Sequence, residues 1–236
     1  MFAKQTSAGR ALPVYFKFLR YPILKDSQNI FILAVLKEFL ALVQCDVRLV
    51  FDRGFACPSI VKFLNRYGVK FIIRIKRTKH VLPPGSALTV AVHQLLRRST
   101  RVSVYGCDLR IVRSTLTATQ PEPWYLVTND LTTPTDDIIT SYYHRFEIEE
   151  WFKDVKRLAG LEYLHQVSDT TFTLVLWFML LGVWVLWLTT VIRKAWQRSQ
   201  TMIHRHHRLS FMKYWWEQMN YERNRIVYNV LNLQMG

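Results

Sequence analysis

The sequence predicts an α/β fold, a mixed sheet with flanking helices and a β-rich insertion. Three observations carry that reading. A strand, a helix and a second strand succeed one another between Val47 and Ile75, short β-rich runs broken by Pro and Gly fill 77–123, and a long amphipathic stretch runs from Asp136 to Leu158. Strand–helix–strand order needs a crossover, hence a parallel, right-handed pair. With 236 residues, 50% hydrophobic and 14% aromatic, the chain can bury one good core and is not disordered by composition.

Taken in order, residues 1–10 are short and polar, and 11–19 is strand-like, rich in aromatic and branched residues. Ser27 suits the N-cap of an apolar helix from Gln28 to about Gln44. Val47–Phe51 reads as a short buried strand ending in Asp52-Arg53-Gly54-Phe55. Pro58 fits the first turn of a helix closing at Gly68, and Val69–Ile75 is the next strand. Within 77–123, Pro83-Pro84-Gly85 breaks the chain, and Arg101–Tyr105 with Leu109–Val112 around Gly106 reads as a hairpin. Trp124–Thr128 returns as a core strand. The long helix from 136 to 158 follows, with Thr133 and Thr135 available as N-caps, Asp136 and Asp137 in its first turn and Gly160 as its stop. The expected organisation is a first core segment over 1–76, the insertion over 77–123, the remaining core over 124–195 and a basic C-terminal segment over 196–236.

Thr171–Ile192 holds no charge and is long enough to span a bilayer. A central helix buried on all sides looks the same. Its four threonines, Gly182 and three tryptophans, with no second such span, favour the buried helix and no membrane. The formal net charge of +15 points to a polyanion, nucleic acid before anionic lipid, and its spread along the chain suggests a basic groove rather than a tail. Cys45, Cys57 and Cys107 lie far apart without CxxC or zinc spacing, and the N-terminus lacks an apolar signal core. A cytoplasmic location is expected. His204, His206 and His207 have no Cys or carboxylate at ligand spacing and read as a basic surface segment.

Chemistry concentrates on the long helix. At about 100° per residue, Tyr142, Arg145, Glu149 and Lys156 fall within roughly a 60° arc beside the apolar Ile148, Phe152 and Val155. On charge alone this is also what a solvated face with i,i+4 and i,i+7 pairs looks like. Asp52 stands where a parallel strand ends, the position at which open α/β sheets place ligand sites, although an Asp before Gly54 also suits a plain turn. Arg145 can grip a phosphate bidentately, Lys156 acts as a point charge, and Tyr142 adds a hydroxyl donor.

The full spacing, Tyr142, two residues, Arg145, three residues, Glu149, six residues, Lys156, resembles the Y-R-E-K signature of DDE transposases of the IS-four insertion-sequence family. Leu49–Phe55 is similar to that family's block holding a catalytic Asp. The resemblance runs from about Arg10 to Ile192 and implies a ribonuclease-H-like core. In it Asp52 and Glu149 are the catalytic, metal-holding carboxylates, and Tyr142, Arg145 and Lys156 hold phosphates at the transposon end. Trp124 matches a tryptophan that stacks on a flipped base, although a strand tryptophan also packs well as plain core. Hard oxygen ligands suit Mg²⁺ or Mn²⁺, two ions about 3.5–4 Å apart. The implied partners are the double-stranded DNA of transposon ends and target, bound by a homodimer near a bacterial nucleoid.

The family pattern needs a third carboxylate on an earlier strand. Residues 1–10 hold no Asp or Glu, Asp26 sits in a loop-like stretch, and Asp46 lies about 20 Å along the strand from Asp52 at 3.3 Å per residue. Asp130, after the last core strand, fits no better. The chain is therefore expected to begin after that strand, with the two-metal site complete only if the missing Asp is supplied. A truncated, inactive DNA-binding remnant is the alternative to an active transposase.

Overall fold

The computed structural model describes residues 2–5, 11–17, 27–43, 45–115, 122–158 and 168–197; Asp26, Gly160, His204, His206 and His207 lie outside them, as does nearly all of the basic segment 196–236. The elements in chain order are β1 (Phe2–Lys4), β2 (Leu12–Tyr15), α1 (Ser27–Leu42), β3 (Arg48–Phe51), α2 (Pro58–Arg66) and β4 (Lys70–Ile75). Then come β5 (His80–Val81), β6 (Val90–Ala91), β7 (Ser99–Val104), β8 (Cys107–Arg113) and β9 (Tyr125–Thr128). Three helices follow, α3 (Thr135–Tyr143), α4 (Phe146–Leu158) and α5 (Asp169–Gln197). The chain divides into two units, one of Lys17–Arg145 and one of Met1–Phe16 with Phe146–Gly236.

The unit Lys17–Arg145 is built on a five-stranded sheet in the order β3-β4-β9-β8-β7. The expected parallel pair is present, Val50 opposite Ile72, and the remaining neighbours are antiparallel. Pro58 occupies the first turn of α2, which turns Ile60, Val61 and Leu64 inward. Gly68, at φ +66°, makes the left-handed turn into β4 that a side chain would strain. Phe71, Ile72 and Ile73 of β4 and Leu126 and Val127 of β9 are fully buried, so these central strands read as continuous apolar runs rather than alternating ones. The predicted hairpin closes through Tyr105 and Gly106, both at positive φ, and it extends the main sheet through β8. Tyr105 is held in this costly conformation by its hydroxyl, which donates to the Ala56 carbonyl (3.1 Å), and by Lys79 above its ring.

Asn129 ties β9 to the start of β4: its Nδ2 donates to the Val69 carbonyl (3.0 Å) and its Oδ1 accepts from the Phe71 N–H (3.1 Å). Asn129→Leu leaves both backbone groups without these partners. It should lower unfolding stability by about 1–3 kcal/mol, read from urea titration of the two proteins.

In the other unit β1 and β2 form a two-stranded antiparallel sheet, so the strand expected at 11–19 is not part of the five-stranded sheet, and Phe18 and Leu19 lie outside the described residues. Leu12 of β2, Trp151 of α4 and Leu176, Leu180 and Val183 of α5 share one buried cluster. Trp184 Nε1 donates to the Pro13 carbonyl (2.8 Å) and fixes α5 against β2.

Two helix expectations are corrected. The single helix over 136–158 is two helices, interrupted at His144 and Arg145. There the Arg145 N–H reaches back to the Tyr142 carbonyl (3.0 Å) in a tight turn instead of continuing the α ladder. Each half is anchored in its own core, α3 by Ile138 and Tyr142 and α4 by Trp151. The threonines do not cap α3, which begins after Pro134 with no side-chain cap bond, because the Thr133 hydroxyl donates to Asp130 (2.7 Å) and the Thr135 hydroxyl accepts from Arg110 (2.7 Å). Asp136 and Asp137 do lie in the first turn. The apolar helix, in turn, is not buried on all sides. Only 11% of its 170–189 window is buried, and that window is long and apolar enough to cross a membrane.

Candidate active site

Within Lys17–Arg145, four of the residues singled out from the sequence come together at the end of β3. Phe51 is buried as the strand's last residue, and the chain then enters a short 3₁₀ turn, Arg53–Phe55. Backbone bonds hold that turn, the Phe55 N–H to the Asp52 carbonyl (3.1 Å) and the Ala56 N–H to the Arg53 carbonyl (3.2 Å). The Asp52 side chain makes no capping bond, so a turn-forming role does not account for its carboxylate. It is exposed, and its Oδ1 accepts a hydrogen bond from the Tyr142 hydroxyl at 3.4 Å.

Tyr142 is fully buried on α3, ninety residues further along. Its ring meets Trp124 edge-on, centroids 5.0 Å apart at 67°, and the Arg145 guanidinium lies 5.5 Å above it. Burial pushes the Tyr142 phenol up, opposed by the Arg145 and Arg74 guanidiniums and assisted by the Asp52 carboxylate. Tyr142 therefore keeps its proton at neutral pH and remains a donor toward Asp52. Trp124, just before β9, is 9% exposed, and its backbone N–H donates to the Ser114 hydroxyl (2.8 Å). Its ring packs against Tyr142 and Tyr143. Stacking on a base would require uncovering that ring.

The charge of Arg74 on β4 reaches Tyr142, where it opposes the upward shift of the phenol, and sequence reasoning missed it. The only available signal was a charged residue in the middle of Lys70–Ile75, where every other interior position is apolar.

Glu149 and Lys156 lie on α4, in the other unit, and the break at His144 and Arg145 removes the continuous helix that the 60° arc requires. Glu149 is exposed, whereas Glu147 on the same turn is buried and its carbonyl accepts from the Ala11 N–H (3.4 Å). The next residue, Glu150, pairs with Lys153 at 2.5 Å. The Lys156 side chain lies outside the described residues. Asp130 is 2% exposed and pairs with Arg48 (2.8 Å).

Among the described residues no group of three or more His, Cys, Asp or Glu side chains is arranged to hold a metal ion. Asp52 and Glu149, one in each unit, carry carboxylate oxygens, the type of donor that hard divalent cations take. A sequence model of the family described as "Transposase DDE domain" matches residues 28–185, about two thirds of the chain. No curated protein matches it.

Proposed function

The chain belongs to the transposase DDE domain family, and from that premise we propose that it is the catalytic domain of an IS-four-type DNA transposase on a ribonuclease-H-like core. The single observation that carries this reading is the meeting of Asp52 with Tyr142, beside Arg145, at the end of a parallel strand. Ninety residues of chain separate the two partners, and a chance turn Asp has no reason to meet the first residue of the Y-R-E-K spacing.

In this proposal Asp52 and Glu149 are two of the carboxylates that hold the divalent cations, Mg²⁺ or Mn²⁺, of the family, and the two-ion site is complete only when a third carboxylate joins them. When bound, such ions activate the attacking oxygen and stabilise the leaving oxygen of an in-line phosphoryl transfer. Tyr142 fixes the Asp52 carboxylate by donating to it. Arg145, with its guanidinium over the Tyr142 ring, and Lys156 take phosphates of the transposon end, Arg74 adds positive charge beside them, and Trp124 supports Tyr142 and stacks on a base when uncovered. The partners are double-stranded DNA ends and target, held by a homodimer in the bacterial cytoplasm. The net charge of +15 suits that polyanion.

The test is nicking of end-bearing duplex in Mg²⁺ by the full chain, present in the wild type and absent in Asp52→Asn; end binding without nicking in either protein would leave only a DNA-binding remnant. Arg145→Ala should weaken end binding about tenfold or more and reduce the slope of log K against log salt by about 1, measured by fluorescence anisotropy across a salt series. An unchanged slope would remove Arg145 from the phosphate contacts.

A further inference from the structure

The end of the five-stranded sheet that carries Asp52 also gathers cations. β3 and β4 run parallel, with Phe51 opposite Ile73, so β4 ends two residues further on and delivers Lys76 and Arg77 at the same end as Asp52. The antiparallel strands return to it. Ile75 lies opposite Tyr125, and Tyr125 opposite Arg113, whose N–H donates to the Arg98 carbonyl (2.9 Å) just before β7. Arg97 precedes Arg98 and so stands there too. All of these residues belong to the unit Lys17–Arg145.

From Lys76 to Arg113 the chain holds eight Lys and Arg residues against a single acid, Asp108. Half of them are committed. Arg101 pairs with Asp108 and Arg98 with Asp136, Arg110 donates to Ser99, Thr133 and Thr135, and Lys79 lies over the Tyr105 ring. Lys76, Arg77, Arg97 and Arg113 are left, and their side chains make no ion pair among the described residues. The first three are exposed and Arg113 is partly buried. A merely solvated surface intersperses both signs of charge, whereas a field of one sign draws a polyanion.

The row is held in place through its backbone. The Lys79 N–H donates to the Lys76 carbonyl (3.0 Å), and the Arg77 carbonyl accepts from the His93 N–H (3.1 Å) with His93 Nδ1 3.0 Å away. From β4 to β7 there are three strand spacings, about 14 Å in all. That width is enough to meet phosphates on both sides of a major groove about 12 Å wide.

We propose that Lys76, Arg77, Arg97 and Arg113 grip the phosphates of the target duplex, the second DNA partner in the proposed function, on which this inference rests. The row carries charge but no means of reading bases. The two neighbouring side chains that could do so are committed, His93 to the Arg77 carbonyl and Gln94 to the Ala91 N–H (3.0 Å). Phosphate contacts position a duplex and base contacts specify it. A grip blind to sequence suits the duplex whose sequence is not fixed, while Trp124 and Arg145 serve the transposon end.

The experiment saturates the full chain with unlabelled end-bearing duplex and titrates in a fluorescent duplex of scrambled sequence, read by anisotropy across a salt series. The wild type should bind this second duplex. The triple variant Lys76→Gln, Arg77→Gln, Arg97→Gln, all at exposed positions, should weaken that step about 30-fold or more and lower the slope of log K against log salt by about 3, with end binding unchanged. Arg113→Gln alone should lower the slope by about 1. An equal loss of end binding would assign the row to the end and overturn the proposal. So would unchanged binding of the scrambled duplex, or a loss seen only with phosphatidylcholine–phosphatidylglycerol vesicles. A wild type that binds ends but no second duplex overturns this inference and leaves the proposed function standing; one that binds neither removes both.

Discussion

Glu149→Gln is expected to slow Mg²⁺-dependent nicking of end-bearing duplex by about 10³-fold, equivalent to about 4 kcal/mol of barrier. The substitution keeps size and hydrogen-bonding capacity but removes the anionic oxygen that a hard cation requires. Glu149 is exposed on α4, whose docking rests on Trp151, so stability should change by no more than about 0.5 kcal/mol. Loss of nicking with unchanged thermal unfolding and unchanged end binding is the expected pattern. A variant that nicks at the wild-type rate would take Glu149 out of the chemistry.

The second large effect is structural. Asp130 is buried at the end of β9 and collects Arg48 (2.8 Å), Lys70 (3.5 Å), the Thr133 hydroxyl (2.7 Å) and N–H (3.0 Å), and the Thr132 N–H (3.2 Å). Burial pushes its carboxyl up, but the Thr133, Arg48 and Thr132 donors outweigh burial and hold it well below the usual carboxylate range. Asp130→Ala strands the partly buried Arg48 and frees the loop that leads into α3; it should cost about 3 kcal/mol, the lower end for a broken buried pair because Arg48 keeps some solvent. The sign of the pH dependence follows from the depressed folded value. The stabilisation is complete above the unfolded value of about 3.9 and is lost as pH falls below it toward the folded one. Stability should therefore fall less steeply below about pH 4 in Asp130→Ala than in the wild type, measured by urea titration at a series of pH values.

Some of this was legible in the letters. The parallel pair followed from strand, helix and strand in sequence, and Asp52 at the strand end followed from Phe51 closing an apolar run. The turn at Gly68 and the hairpin around Gly106 also followed, because residues at positive φ leave a compositional mark. What was not legible depends on contacts distant in sequence. Tyr142-Tyr143-His144-Arg145 contains no glycine or proline, so nothing local announced the break between α3 and α4; it reflects Tyr142 and Trp151 being claimed by different cores. Thr133 looked like a cap because its competing partner, Asp130, is itself held by Arg48 from another strand. The one-sided burial of α5 was hidden because an uncharged helix has no polar face to mark the exposed side. Arg74 was passed over because its significance lies in standing near Tyr142, sixty-eight residues away.

The proposed function requires Asp52 and Glu149 to act on the same cation. The direct measurement is Mn²⁺ titration of the full chain, followed by electron paramagnetic resonance, for the wild type, Asp52→Asn, Glu149→Gln and the double variant. Shared ligation predicts that each single substitution weakens the site at least about tenfold and that the double variant is scarcely weaker than either single one. Losses that simply add, or Mn²⁺ binding indifferent to both residues, would contradict it.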